Sequence, residues 1–412
     1  MLCQVGDDHG QDLGHPKQSE DGIKLLSLDG GGIRGLSSLI ILKHLMKNIR
    51  PSDPPKPCEY FDLIGGTSTG GIITIMLGRL RMGVDECIEK YMDLASDVFQ
   101  PKRSKGNLWG KGRDWLTAGG KYRSEGLATQ FKSAAQQAIG DKEALLLDPD
   151  GPCKVFVCAQ AKANSTTALL RSYTTHDSID HLSLSRCTIW EAARATSAAS
   201  GFFDPIVIGD QSYVDGATAC NNPVEKVFQE AKSLWSDLGP RLQCLVSIGT
   251  GVSKAHQFGD NIFEIVNSLK HMAIETEETE KRFYTHIDDY GIKELYFRFN
   301  VTTGLTGVKL DDVEKRPDIE AATEAYLAEP RTRKTLQNVA EARPALDGMI
   351  QKEALRSSHA HIILSTQNLF QKPEKTSTWP GSLFQTLAEP TQTPNLYDQM
   401  MRPASGFSMT IF

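Results

Sequence analysis

The sequence predicts an α/β protein with a mostly parallel central sheet flanked by helices. Short apolar runs of strand length alternate with longer segments whose apolar residues recur at helical spacing. Glycine-rich turns stand at the ends of several runs, where a parallel sheet has to turn into a covering helix. With 412 residues, 40% of them apolar, the chain can bury a sizeable core.

Residues 24–29 (KLLSLD) read as a buried strand that runs into Gly30, Gly31 and Gly32. Residues 36–49 read as a helix. Leu36, Leu39, Ile40, Leu42, Leu45, Met46 and Ile49 recur at helical spacing, and Lys43, Lys47 and Arg50 suit its C-terminal end. Residues 60–64 (YFDLI) read as a second strand leading into 65–71 (GGTSTGG), and 72–77 as a helix buried on nearly every side. Another helix follows Asp85. A third strand is expected at 154–160 and a helix at 188–199. Short strands are expected at 206–208 and 212–214, the second closed by Asp215 and Gly216. Residues 242–248 make a further strand before Gly249-Thr250-Gly251. Residues 262–274 make an amphipathic helix with Ile262, Phe263, Val266, Leu269 and Ala273 on one stripe, and helices are expected at 317–327 and 331–355.

Composition narrows the function. A net charge of -6 argues against nucleic acid as a partner. The first twenty residues lack the apolar run of a secretory signal, and no stretch approaches the roughly 18 uninterrupted apolar residues of a membrane span. A soluble, cytoplasmic protein is expected, which must visit a membrane surface if its substrate is lipid. The eight cysteines are scattered and read as free thiols. No metal-ligand spacing occurs, so neither a metal nor a cofactor is expected.

Three stretches carry chemistry. Gly66-Thr67-Ser68-Thr69-Gly70 matches G-x-S-x-G between a strand and a helix, which presents Ser68 as a nucleophile on a sharp turn. Gly30-x-Gly32-x-x-Gly35 fits a dinucleotide fingerprint, but the acidic residue at the required distance, Asp53, lies in a proline-rich loop and not at a strand end. Consecutive glycines are better suited to an oxyanion hole: the amides of Gly30, Gly31 and Gly32 can converge without side chains in the way. Arg34 either adds positive charge there or braces the loop. A base is also needed. His256, His271 and His286 are candidates, none of them in a glycine turn just after a strand. Asp215, followed by Gly216 and Ala217 at a strand end, is either the base or a turn cap.

Together these pieces resemble the patatin-like phospholipase family. The resemblance rests on Asp29-Gly30-Gly31-Gly32-Ile33-Arg34-Gly35, on Gly66 to Gly70 and on Asp215-Gly216-Ala217, in that order, with Ala193 to Ala199 and Asn221-Asn222-Pro223 as further signatures. It implies a three-layer α/β/α fold and a Ser68–Asp215 dyad that works without histidine and without calcium. It also implies an oxyanion hole formed by Gly31 and Gly32, and phospholipid or another acyl lipid as substrate. The implied organisation is a polar tail over 1–22 and a hydrolase domain over 23–355, with a motif-bearing core to 250 and a helical part from 251. A weakly ordered tail over 356–412 follows. A catalytically silent lipid-binding or signalling module is the alternative. The glycine-rich stretch 101–123 carries Trp109, Trp115 and seven basic residues against one acid. It reads as a solvated insertion or as a contact for an anionic membrane surface.

Overall fold

The computed structural model describes residues 22–98, 124–175, 186–199, 202–252 and 263–342, with residue 124 and residues 263–273 as backbone only. The 101–123 stretch, the two tails, His256 and the 343–355 end of the last expected helix lie outside these residues, as does the apolar stripe expected on 262–273.

Eight strands form one sheet: β1 Ile23–Leu28, β2 Leu63–Thr67, β3 Lys154–Ala161, β4 Thr167–Arg171, β5 Ile206–Ile208, β6 Gln211–Asp215, β7 Leu242–Ile248 and β8 Tyr296–Phe299. The order is β5-β6-β3-β2-β1-β7-β8, with β4 paired to β3 off that path. Strands β3, β2, β1, β7 and β8 are parallel, and the antiparallel pairs gather at the β3 end. The mostly parallel sheet is therefore as expected.

The covering helices are α1 Gly35–Ile49, α2 Thr69–Thr74, α3 Val84–Val98, α4 Ser124–Ile139, α5 Ile189–Thr196, α6 Val224–Leu234, α7 Phe263–His286, α8 Arg316–Ala328 and α9 Pro330–Glu341. Side chains alternate along each strand, so the sheet feeds two apolar clusters, one on each face. Leu26 and Leu28 of β1, Val155 and Val157 of β3, and Val246 and Ile248 of β7 belong to the cluster that includes α1, α3 and α5. Leu25, Phe156 and Leu245 belong to the other, with Val224, Val227 and Phe228 of α6 and Phe283 of α7. This is a three-layer α/β/α arrangement. Phe202 and Phe203 are buried in the first cluster. The seven described cysteines are buried and free. Among the described residues no helix is long and apolar enough to cross a membrane.

Strands β4 and β8 are not among those expected, and β2 differs from expectation. Residues Pro57–Tyr60 form a helical turn, and β2 starts only at Leu63. Pro57 fits the first helical position, and the Glu59 carboxylate accepts the Lys56 N–H at 3.1 Å, which closes that turn. The apolar 60–64 run thus spans the end of the turn and the start of the strand. Helix α7 extends twelve residues past the expected end at 274.

The register around β3 places the site. Strand β4 pairs with residues 156–160 of β3, β2 pairs with 154–158, and β6 pairs with 159–161. β2 and β4 share partners, and so do β4 and β6, so β2 and β6 lie end to end along the same edge of β3. One is parallel to β3 and the other antiparallel, so their C-terminal ends meet. Thr67 stands opposite Cys158, and Asp215 opposite the next residue, Ala159.

Candidate active site

Ser68 follows directly on Thr67 and sits at φ 54°, ψ −122°, in the left-handed half of backbone space that a residue with a side chain avoids. Such a conformation costs on the order of 1–3 kcal/mol and persists only where its surroundings enforce it. The Ser68 N–H donates to Thr196 Oγ1 at 2.9 Å, and the Thr196 hydroxyl donates to the Cys158 carbonyl at 2.7 Å. The Thr67 hydroxyl donates to the Cys220 carbonyl at 2.7 Å. The Ser68 carbonyl accepts the Ile72 N–H at 2.9 Å, and α2 starts there. Ser68 therefore stands at the positive end of a buried helix.

The flanking glycines are required by close approach. A Cβ on Gly66 would stand 2.3 Å from the Gly70 carbonyl oxygen, and one on Gly70 would stand 2.2 Å from that of Leu28. Both obstacles are backbone and cannot swing away. Gly70→Ala is expected to lose more than about 3 kcal/mol of stability, read from the denaturant midpoint. A midpoint equal to that of the parent protein would contradict the packing of the elbow against β1.

Asp215 meets Ser68 across the gap between β2 and β6. The Ser68 hydroxyl donates to Asp215 Oδ2 at 2.6 Å, and the Ala217 N–H donates to Oδ1 at 2.8 Å. The turn through Gly216 thus fixes one carboxylate oxygen and leaves the other facing the serine. Both side chains are buried. Burial pushes the Asp215 carboxyl up to about 7, against the pull of the bonds from Ser68 and Ala217. Among the described residues no histidine bonds to either group. His286 lies on α7 with Nδ1 against the carbonyl of Arg282.

The glycine loop is pinned at almost every polar atom. The Asp29 N–H donates to Ile248 O, and the Gly30 N–H to Asn221 O, both at 3.1 Å. The Gly30 carbonyl accepts Thr250 Oγ1 at 2.9 Å. The Gly32 carbonyl accepts the hydroxyls of Tyr91 and Thr69. The Ile33 N–H donates to Leu310 O at 2.8 Å. Among the described residues, the Gly31 and Gly32 amides alone in this loop have no acceptor. The Gly30 amide, expected to join the oxyanion hole, instead already donates to the Asn221 carbonyl. Arg34 is buried, and its Nε donates to the Gly31 carbonyl at 3.4 Å, so it braces the loop.

Several positioning residues carried no assigned role in the sequence. Arg298 on β8 grips both oxygens of Asp29, at 3.0 and 2.6 Å, and donates to Ser247 Oγ at 2.7 Å. Asn221 is held by α7: its N–H donates to the Glu275 carboxylate and its Nδ2 to Thr276 Oγ1, both at 2.6 Å. Thr196 and Asn221 fall within the Ala193–Ala199 and Asn-Asn-Pro signatures. Arg298 has no local signal at all.

The family model for patatin-like phospholipases matches residues 26–228, a span that contains the glycine loop, the elbow and Asp215. Residues 26–228 of this chain are a patatin-like phospholipase domain. The human calcium-independent phospholipase A2-gamma is 31% identical over 284 residues, covering 68% of this chain and 34% of the relative. Phospholipase A I of Arabidopsis thaliana is 29% identical over 364 residues, covering 76% of this chain and 27% of the relative. The chain thus spans about a third of the length of these relatives. Patatin-like protein 4 of Arabidopsis thaliana is 26% identical over 261 residues, with 57% of this chain and 61% of the relative covered. A solved structure, VipD from Legionella pneumophila, matches at 11% identity with a TM-score of 0.36, covering 78% of this chain and 67% of its own. That likeness is too loose to inform the site.

Proposed function

We propose that this patatin-like chain is a lipid acyl hydrolase of the phospholipase A type. It cleaves carboxylic ester bonds of phospholipids or other acyl lipids through a Ser68–Asp215 dyad and an acyl-enzyme. The observation that carries the reading is the 2.6 Å bond from a strained, buried serine to a buried carboxylate.

In this mechanism Asp215 Oδ2 takes the proton of Ser68 Oγ as that oxygen attacks the ester carbonyl. The amides of Gly31 and Gly32 receive the oxyanion, each donor worth roughly 100- to 1000-fold in rate. Asp215 returns the proton to the departing alcohol, and a water activated by the same carboxylate releases the fatty acid. No step needs calcium, which agrees with the names of the mammalian relatives. The protein works from the aqueous, cytoplasmic side and touches the membrane transiently to collect its substrate. A catalytically silent lipid-binding module would have no use for a serine held in a costly conformation against a desolvated carboxylate.

The base must be ionised to act, so kcat/KM is expected to rise about tenfold per pH unit below about 7 and to level off above it. Initial rates between pH 5 and 9 check this. A profile that is flat, or that falls through pH 7, would contradict Asp215 as base.

A further inference from the structure

A cleft of about 530 Å³ opens beside the glycine loop. It shares Gly30 and Gly31 with the loop, and a Cβ on Gly30 would lie 3.1 Å from the Ser68 Cβ, so a ligand in the cleft abuts the reacting centre. One wall is a face of α7 that includes Glu277, Lys281 and Tyr284, spaced four and three residues apart. The lining also includes Lys309, in the loop after β8, and the buried Arg34.

The lining carries three carboxylates, Asp29, Glu277 and Glu280, and three cations, Arg34, Lys281 and Lys309, and among the described residues no ion pair joins one set to the other. Asp29 and Glu280 both face Arg298, at 2.6 and 3.4 Å. Arg34 is 8% exposed, and among the described residues its guanidinium makes a single hydrogen bond, the long contact to the Gly31 carbonyl. Burial lowers its pKa to about 10, and among the described residues no carboxylate offsets that loss of solvation. Lys281 and Lys309 likewise have no carboxylate within ion-pair distance among the described residues. A desolvated guanidinium without a counterion is costly, and an anion in the cleft would relieve that cost. An acyl chain in the same space would leave Arg34 desolvated and without a counterion.

We propose that the cleft between α7 and the loop after β8 is a headgroup subsite that takes the phosphodiester of a glycerophospholipid on Arg34, Lys281 and Lys309. The inference rests on the hydrolase reading above. It assigns the polar end of the substrate to this side of the glycine loop, so the acyl chain leaves by another side of Ser68. Phospholipids are then favoured over uncharged glycerolipids.

The test compares the parent protein with Lys281→Glu/Lys309→Glu on two substrates in the same detergent micelles: dioleoylphosphatidylcholine and dioleoylglycerol. The expected result is an apparent KM for the phospholipid that rises about tenfold more than that for the diacylglycerol. Equal changes on both substrates, or no change on either, would overturn the subsite while leaving the hydrolase intact. Calorimetric titration with glycerophosphocholine reads the subsite without catalysis. Binding by the parent and its loss in the double variant support the subsite, even if neither lipid is hydrolysed and the hydrolase reading fails. No binding by the parent, or inorganic phosphate binding as tightly as glycerophosphocholine, would overturn the headgroup assignment.

Discussion

Replacing Asp215 with asparagine is expected to lower kcat/KM on the order of 1000-fold and, above pH 7, to stabilise the fold. The first effect follows from losing the base. Asparagine keeps an acceptor for the Ala217 N–H, so the turn survives, but it cannot take the Ser68 proton. The second effect follows from burial. The Asp215 carboxyl is raised from 3.8 to about 7 in the folded protein, so between those values the folded state binds a proton that the unfolded state has lost. Its contribution to stability is full below about pH 4 and disappears as pH rises through 7. A neutral amide escapes that loss, so the melting temperature of Asp215→Asn should exceed that of the parent by a few degrees at pH 8 and converge with it in acid. Thermal unfolding at pH 5 and pH 8, alongside the rate assay, checks both halves. An asparagine variant that is both inactive and less stable at pH 8 would point to a structural carboxylate.

Breaking the Asp29–Arg298 pair is expected to cost both stability and rate, and the two losses can be separated. Asp29 is 1% exposed, and Arg298 holds both of its oxygens. Arg298→Met leaves the buried Asp29 without its partner, at a cost of roughly 3–5 kcal/mol, whereas Asp29→Asn leaves Arg298 with Glu280 at 3.4 Å and costs less. Removing both charges together should restore most of that stability, because a neutral pair carries no such penalty. It should not restore the placement of Gly31 and Gly32, which follow the anchored Asp29 by two and three residues. Misplaced oxyanion donors cost about 100-fold in kcat. The double variant is therefore expected to melt near the parent temperature while turning over about 100-fold more slowly. Recovery of both properties would assign the pair to stability alone.

How far the sequence reveals this arrangement depends on the range of the interactions involved. Elements with a local cause are legible. Strand β7 runs over 242–248 as expected, and the apolar spacing of α1 reports its burial. The elbow is legible because the G-x-S-x-G spacing is itself local: Gly66 answers to the Gly70 carbonyl four residues on, although the demand at Gly70 comes from Leu28 on β1. The second strand begins later than its apolar run suggests, because the Pro57 helical turn and the strand share that run. Asp215 was equivocal on its residues alone. What makes it a partner for Ser68 is the end-to-end meeting of β2 and β6 on β3, a register with no sequence signature. The same holds for Gly30, whose amide is consumed by Asn221 at a distance of 191 positions in the chain. Arg298 is further still, 269 residues from Asp29, on a four-residue strand that propensity cannot single out.

The most direct test of the central claim is fatty acid release from mixed phospholipid vesicles by the parent protein and by Ser68→Ala, with a calcium chelator present throughout. The account predicts release by the parent and a loss of at least about 10,000-fold in the variant, with no dependence on calcium. Equal release by the two proteins would contradict Ser68 as the nucleophile.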